Sequence, residues 1–215
     1  MATLLPAILS KDTDEVHEKI KFLESIPEIT EVHIDFEDGK FVPNTTVLPK
    51  DLFGLKTRLK IDAHMMVTEP QAYFHDLEHL GADTVDVHFE SFNGFRELLN
   101  AASNLRTMKM RAAVVINPET DIAVFQAVAP QIDIMFVMSV YPGFQGKPFL
   151  PQSLDRIHSL RKSYPGGIIQ IDGGISRANI EAVRGHGADR IVVGSGIWQN
   201  MDVKKTIYEL LELIK

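Results

Sequence analysis

Histidine and aspartate residues recur at short, regular spacing in three apolar segments of the sequence. His33 and Asp35 lie two residues apart, Asp62 and His64 repeat that spacing, and Asp172 ends a third segment. If each segment is a β-strand, side chains two residues apart point to the same side, so each pair shares a face. Imidazole nitrogens and carboxylate oxygens are ligands for Zn²⁺, Mn²⁺ or Fe²⁺. The spacing therefore favours a divalent metal site with open positions for a substrate; the alternative is a buried network of ion pairs.

Glycine residues cluster after three apolar runs in the second half of the chain. The segments are Pro142-Gly143-Phe144-Gln145-Gly146, Gly173-Gly174 and Gly194-Ser195-Gly196. Loops of this kind bind phosphate where they lead into helix N-termini, because glycine lets backbone N–H groups approach the anion. Tight turns also use glycine. Three clusters in succession nevertheless favour a phosphate subsite over plain turns.

The composition narrows the class of protein. The chain has 215 residues, of which 45% are hydrophobic and 24% charged, and this suits one globular domain, residues 1–215, with a sizeable core. The net charge of −7 and the lack of a Lys/Arg cluster argue against nucleic-acid binding. Cysteine is absent, which excludes disulfides and thiolate metal sites. No segment resembles a membrane span or a signal peptide, so we expect a cytoplasmic protein with no membrane partner.

Short β-branched runs alternate with amphipathic stretches along the whole chain. The predicted strands are Leu4–Leu9, Glu31–Asp35, Leu59–His64, Thr84–Phe89, Arg111–Ile116, Ile134–Ser139, Ile168–Asp172 and Arg190–Gly194. Helix starts are predicted at Asp12, Glu69-Pro70, Asn117-Pro118 and Ser176, and the Gly-Ala-Asp sequence at 81–83 and 187–189 predicts two similar helix-to-strand turns. This order predicts an α/β fold, a single (β/α)₈ TIM barrel; a doubly wound open sheet is the alternative.

A TIM barrel would bring the polar residues together, since its active sites form at the C-terminal ends of the strands. The second, third and seventh predicted strands end with the histidines and aspartates described above. Asp86 and His88 share a face at the end of the fourth strand, where we expect His88 to pack in the core; the alternative is contact with a ligand residue. Surface positions on or near predicted helices explain the other histidines, which are His17, His75, His79, His158 and His186.

Several motifs, taken in order, are similar to those of one known family. They are Pro6-Ala7-Ile8-Leu9-Ser10, His33-Ile34-Asp35, Asp38-Gly39, Phe41-Val42-Pro43-Asn44, Asp62-Ala63-His64-Met65-Met66, Asn117-Pro118, Met138-Ser139-Val140, Pro142-Gly143-Phe144, Asp172-Gly173-Gly174 and Gly194-Ser195. From Leu5 to about Trp198 the chain resembles the ribulose-phosphate 3-epimerase family, which interconverts D-ribulose 5-phosphate and D-xylulose 5-phosphate.

The resemblance implies a metal-dependent isomerase that acts on a small sugar phosphate, and we expect it to form a homo-oligomer. His33, Asp35, His64 and Asp172 would bind one divalent ion, either Zn, Fe(II) or Mn, and the two aspartates would also be the catalytic acid and base. The implied substrate-binding residues are Ser10, His64, Met66, Met138, Gly143, Phe144, Gln145, Gly146, Gly173, Gly174, Gly194 and Ser195.

The chemistry of epimerisation independently requires such a set. Inverting a carbon next to a ketone removes a proton from one face and supplies one to the other, which two carboxyl groups on opposite sides can do. Negative charge develops on the substrate oxygens between these steps, and a metal ion would offset it. Asp35 and Asp172 on either side of a metal would meet both requirements.

Some residues depart from the family pattern and bear on specificity. Glu37, Tyr141, Gln145 and Lys147 differ from the usual residues at the end of the second strand and in the glycine-rich loop, and Asp86 stands at a usually uncharged position. The alternatives are therefore an epimerase of another ketose phosphate, such as D-allulose 6-phosphate, or a non-catalytic sugar-phosphate-binding barrel. If the second strand continues, Glu37 points inward and contacts Lys147 when the loop closes; otherwise it turns into solvent.

Overall fold

The computed structural model describes residues 2–215 as a closed barrel of eight parallel strands in sequential order. The last strand pairs with the first, which excludes the open sheet. The strands are β1 (Thr3–Ile8), β2 (Glu31–Glu37), β3 (Lys60–Met66), β4 (Ala82–His88), β5 (Arg111–Ile116), β6 (Ile134–Met138), β7 (Ile168–Asp172) and β8 (Arg190–Val193). The predicted (β/α)₈ barrel is confirmed, and each predicted strand lies within two residues of the observed one.

Helices connect most successive strands, but only a 3₁₀ segment lies between β2 and β3, and two helices follow β8. The helices are α1 (Thr13–Glu24), α2 (Phe74–Leu80), α3 (Phe95–Thr107), α4 (Val124–Val128), α5 (Gln152–Ser163), α6 (Ile180–Gly185), α7 (Ser195–Trp198) and α8 (Val203–Leu213). Short 3₁₀ segments supplement them at Pro49–Leu52, Pro70–Tyr73, Phe89–Ser91 and Ala129–Gln131. Within residues 2–215, no helix is both long enough and apolar enough to span a membrane.

Local sequence signals explain some helix ends but not others. Asp12 caps α1 by accepting a hydrogen bond from the backbone N–H of Asp14, and Gly81 ends α2 in the left-handed conformation (φ 82°). Of the helix starts predicted at Asn117-Pro118 and Ser176, the first is wrong, because α4 begins at Val124; Ser176 begins the turn that leads into α6, and its backbone oxygen accepts a hydrogen bond from the N–H of Ile180 (3.0 Å). At the first of these the backbone N–H of Asn117 is held by the side chain of Glu90 (2.8 Å), which keeps the segment in a turn beyond β5.

The barrel interior is divided between apolar and polar side chains. A fully buried apolar cluster fills the part lined by β1, β5, β6 and β8; it comprises Leu5, Ala7, Val115, Phe136, Met138, Val140 and Val192. The ring of Phe136 lies 5.2 Å from that of His64 and 5.9 Å from that of His33, measured between centroids. The candidate ligands therefore stand against a packed apolar wall, which limits the positions their rings can adopt.

The strand β2 extends two residues beyond its predicted end. Glu37 pairs with Met66 at the ends of β2 and β3, and its side chain is buried. The alternation of side chains thus places His33, Asp35 and Glu37 on the inner face of the barrel. The interpretation that Glu37 turns into solvent is wrong.

Candidate active site

The four predicted metal ligands converge at the C-terminal end of the barrel. His33 and Asp35 come from β2, His64 from β3 and Asp172 from the last position of β7. One donor atom from each of these side chains lies within 4.8 Å of the donor atoms of the other three. The sequence separates Asp172 from the others by more than a hundred residues, and barrel closure brings it to them.

The ring of His33 leaves one nitrogen free inside the site. Its Nδ1 lies 2.6 Å from Oδ2 of Asp62, whereas Nε2 is buried and has no hydrogen-bond partner among the described residues. A buried polar atom without a partner costs free energy. An imidazole nitrogen beside the carboxylates of Asp35 and Asp172 can recover that cost by binding a divalent cation, so the residues fit the metal implied by the sequence.

The ring of His64 is held from outside the site by His88. Nε2 of His64 lies 2.9 Å from Nε2 of His88, whose Nδ1 is 3.3 Å from Oε2 of Glu90. Nδ1 of His64 therefore faces Asp35, and its distance to Oδ1 of Asp35 is 2.9 Å. Of the two interpretations of His88, contact with a ligand residue is the one observed. The remaining histidines lie at or near the surface, as predicted.

The two aspartates have opposite pKa shifts. Burial alone would raise the pKa of Asp35, but the ring of His33, with Nε2 3.4 Å from Oδ1, and the hydrogen bond to His64 outweigh burial and hold that pKa well below its ordinary value. Burial, followed by the negative charge of Asp35, raises the pKa of Asp172 to about 7. Burial also lowers the pKa of His64 to about 4, which leaves that ring neutral. One carboxylate next to one carboxyl group near neutrality is the arrangement expected of an acid and base pair.

A single cavity at the barrel mouth collects most of the predicted substrate-binding residues. Asp35 and Asp172 line its floor, together with Met66, Met138, Gly143, Phe144, Gln145, Gly146, Lys147, Gly173, Gly174, Gly194 and Ser195. Four predicted residues do not line it. His64 is buried, Tyr141 is exposed, and Glu37 is buried beside the end of β3, where it pairs with Met66. Ser10 turns its hydroxyl to Asp12 and Glu15 at the start of α1.

Glycine lets the loop after β6 pack onto the loops after β7 and β8. Gly174 has φ 62°, and a Cβ atom there would lie 2.5 Å from the backbone nitrogen of Phe149. A Cβ atom on Gly194 would lie 2.9 Å from Nε2 of Gln145. A side chain at position 174 would push the loop backbone away from the cavity, whereas one at position 194 would displace the end of the Gln145 side chain. The three glycine clusters therefore meet in space.

Lys147 braces this loop and does not contact Glu37. Its Nζ donates hydrogen bonds to the backbone oxygens of Tyr141 (2.9 Å) and Pro142 (3.3 Å). Oε2 of Glu37 instead accepts a hydrogen bond from Nδ2 of Asn44 (2.6 Å). The predicted Glu37–Lys147 contact is therefore not formed in this structure.

Comparison with known proteins shows the family of this chain. The model of the ribulose-phosphate 3 epimerase family matches residues 3–198. The chain belongs to this family. A ribulose-phosphate 3-epimerase of Synechocystis sp. is 35% identical over 199 residues, which are 90% of this chain and 86% of the relative. A ribulose-phosphate 3-epimerase of Bacillus subtilis is 31% identical over 217 residues, 98% of each chain.

Solved structures outside the family show the same fold. The 3-hexulose-6-phosphate synthase of Salmonella typhimurium has a TM-score of 0.73 at 16% identity and covers 99% of this chain and 98% of its own. The orotidine 5'-monophosphate decarboxylase of Sulfolobus solfataricus has a TM-score of 0.66 at 14% identity, with coverages of 100% and 98%. At such identities the likeness shows the barrel alone.

Two buried residues next to the site were not predicted. Gln170 on β7 and Arg190 on β8 point into the barrel beneath the candidate ligands, and both are almost fully buried. The signal for Arg190 was present, because an arginine preceding Ile191-Val192-Val193 is unusual in a strand that is buried on both faces. Its inward direction depends on the register of β8, which the sequence does not reveal.

Proposed function

We propose that this chain interconverts D-ribulose 5-phosphate and D-xylulose 5-phosphate. The observation that carries the proposal is the pairing of Asp35 with Asp172 at one cavity, beside two imidazole rings, in a member of the epimerase family. The opposite pKa shifts of the two carboxyl groups suit proton removal by one and proton delivery by the other. The relatives named above are ribulose-phosphate 3-epimerases, which supports this choice of substrate.

A divalent metal ion belongs to this proposal. His33, Asp35, His64 and Asp172 would hold it, and the set of two nitrogens and two carboxylates suits zinc, iron(II) or manganese. When bound, the ion supplies positive charge that offsets the negative charge developing on the substrate oxygens. The neutral ring of His64 and the free Nε2 of His33 support this assignment.

The chain itself moves the protons. Asp35 and Asp172 project from β2 and β7, which are not neighbours in the barrel, so they approach a substrate from different directions. An ionised carboxylate takes the proton from C3 on one face, and the protonated carboxyl group returns one on the opposite face. Reversing the two roles runs the reaction in the other direction. Met66 and Met138 line the same cavity and exclude water from the reacting carbon.

The phosphate group belongs at the glycine-rich end of the cavity. Gly173, Gly174, Gly194 and Ser195 line that end, and the loop from Gly143 to Lys147 covers it. Backbone N–H groups can approach an anion there because glycine carries no side chain. Lys147 adds the one positive side chain in the cavity lining, which matters in a chain of net charge −7.

The direct test is an assay of purified protein whose metal content has been measured. Conversion of ribulose 5-phosphate to xylulose 5-phosphate that depends on a bound divalent ion would support the proposal. Binding of sugar phosphate without turnover, at full metal occupancy, would instead indicate the non-catalytic barrel. The same assay with ribulose 5-phosphate and D-allulose 6-phosphate, compared by kcat/KM, distinguishes the two epimerase hypotheses.

The buried carboxyl group of Glu37 is the reason for including D-allulose 6-phosphate in this assay. Its side chain is buried at the end of β2, and Oε1 has no hydrogen-bond partner among the described residues. Burial, followed by the charge of Asp35, raises the pKa of Glu37 to about 8, so the carboxyl group can donate as well as accept at neutral pH. A donor next to the cavity could bind a substrate hydroxyl group. Glu37→Met should then change the ratio of the two kcat/KM values.

A further inference from the structure

A second layer of polar side chains lies beneath the candidate ligands and crosses the barrel. Arg190 on β8 donates from Nη2 to Oδ1 of Asp62 (2.9 Å), from Nη1 to Glu31 (2.6 Å) and from Nε to Gln170. The nitrogen Nε2 of Gln170 donates to Oδ2 of Asp62 (2.9 Å) and lies 3.4 Å from Asp86. Five strands thus contribute to one buried network.

Asp62 connects this layer to the site. Its Oδ1 is bound by Arg190, and its Oδ2 is shared by Nε2 of Gln170 and Nδ1 of His33 (2.6 Å). A guanidinium group is always charged in proteins and can only donate, so it favours Asp62 as an ionised acceptor. An ionised Asp62 requires a proton on Nδ1 of His33. When the ring is neutral, as a metal ligand must be, its lone pair is then on Nε2, the nitrogen that faces Asp35.

A metal ion in the lower layer is the competing interpretation. His33, Asp62 and Asp86 each offer an atom, and these atoms lie within 4.8 Å of one another. Two donor groups already point at these carboxylates, the guanidinium of Arg190 and the amide of Gln170. Arg190 therefore supplies positive charge directly to Asp62, which already has a donor on each oxygen, whereas Oδ1 of Asp86 has no hydrogen-bond partner within residues 2–215. This favours a supporting role for the layer over a second metal site.

We propose that Arg190 and Gln170 are positioning residues for the metal ligand His33, acting through Asp62. They hold the Asp62 carboxylate where it accepts the Nδ1 proton, which fixes the ring orientation and presents Nε2 to the ion. Partners of this kind, on the far nitrogen of a ligating histidine, typically change metal affinity about 10-fold to 100-fold when they are removed. The inference rests on the metal site of the proposed function, but it concerns metal affinity and not turnover.

The experiment measures zinc affinity of the full-length chain by competition with a chromophoric chelator. The variants are Gln170→Met, which keeps the length of the side chain, Arg190→Met, and the charge-neutral pair Arg190→Met with Asp62→Asn. We expect each to weaken zinc binding about 10-fold to 100-fold. The matched control is Arg161→Met, because Arg161 pairs with Asp189 and donates to backbone oxygens at the N-terminal ends of β7 and β8 without contacting a ligand. It should lower the unfolding temperature and leave zinc affinity unchanged.

A second measurement is independent of how well each variant folds. Nitrogen chemical shifts of the His33 ring in the zinc-loaded parent protein should show a proton on Nδ1 and the metal on Nε2. The proposal is overturned if metal is on Nδ1, or if folded Gln170→Met and Arg190→Met bind zinc within twofold of the parent. Two zinc ions per chain, with the second lost in Asp86→Asn, would also overturn it. Weakened zinc binding in a protein with no epimerase activity would support the positioning role while refuting the proposed function.

Discussion

Oδ1 of Asp35 lies 2.9 Å from Nδ1 of His64, and the two residues are direct partners in the register of β2 and β3. Asp35 is therefore a neighbour of the candidate metal and a candidate proton carrier at the same time. Asp172, across the barrel, has no imidazole hydrogen bond among the described residues and keeps a pKa near 7. The two carboxyl groups differ in pKa because Asp35 has the imidazole of His64 on the neighbouring strand, whereas Asp172 has no such partner in the part of the chain that the structure describes.

Replacing either aspartate by asparagine should stop net epimerisation. Asp35→Asn and Asp172→Asn each remove the proton carrier on one face of the substrate carbon, and we expect kcat to fall at least about 1,000-fold. The measurement is conversion of ribulose 5-phosphate, with exchange of the C3 proton in deuterated water followed in parallel. One variant should retain exchange without inversion.

The control for these substitutions is Asp155→Asn, an exposed aspartate on α5, which should have normal activity. Metal content must be measured in each variant, because both aspartates are also candidate ligands. Near-normal inversion by a fully metallated Asp35→Asn or Asp172→Asn protein would refute the mechanism with two carboxyl groups.

Binding of a divalent ion should stabilise the fold. The buried Nε2 of His33 gains a partner only when an ion is present, and the ion adds positive charge beside Asp35. Zinc or manganese added to chelator-treated protein should raise the unfolding temperature by several degrees, and His33→Ala should abolish most of that rise. Differential scanning calorimetry with and without the ion measures it. His79→Ala, at an exposed position on α2, should respond like the parent, and an equal rise in His33→Ala would contradict the ligand assignment.

The sequence was sufficient for the barrel and for the four candidate ligands. Apolar runs and their two-residue alternation predicted where His33, Asp35 and His64 point, and strand order then brought Asp172 to them. The side-chain network around them could not be predicted. The proposed support of His33 by Asp62 depends on Arg190, whose inward direction depends on the β7 to β8 register.

Side-chain contacts in loops could not be predicted from the sequence either. Lys147 has a long flexible side chain, which can reach several acceptors. Its hydrogen bonds go to the carbonyl groups of Tyr141 and Pro142 and not to Glu37. Glu37 instead accepts a hydrogen bond from Asn44, which lies in the segment that follows β2. Assignment of residues 1–215 to one domain, the homo-oligomer, the cytoplasmic location and the individual substrate contacts remain predictions.

Gly174→Ala should impair substrate binding more than folding. The added Cβ atom would lie 2.5 Å from the nitrogen of Phe149 and 2.7 Å from the carbonyl oxygen of Lys147, so the covering loop must move. We expect KM for the sugar phosphate to rise about 10-fold or more, because the loop helps to form the phosphate end of the cavity. Steady-state kinetics measures it. Gly166→Ala, where nothing lies within 4 Å of the added atom, is the matched control, and an unchanged KM in Gly174→Ala would remove the loop from substrate binding.

Glu37 should make the stability of the metal-free protein depend on pH. Burial and the charge of Asp35 raise its pKa from 4.5 to about 8 in the folded protein. Between these values the folded chain keeps a proton that the unfolded chain has lost, so stability is greatest below the lower value and declines as the pH rises towards the upper one. Glu37→Gln mimics the protonated form at every pH. The unfolding temperature of this variant, relative to the parent in chelator, should therefore increase by several degrees from about pH 5 to about pH 9.

Glu18→Gln, on the exposed face of α1, should show no such trend. If the difference between Glu37→Gln and the parent is constant across this range, Glu37 does not hold a proton in the folded state, and its proposed donation to a substrate hydroxyl group is wrong.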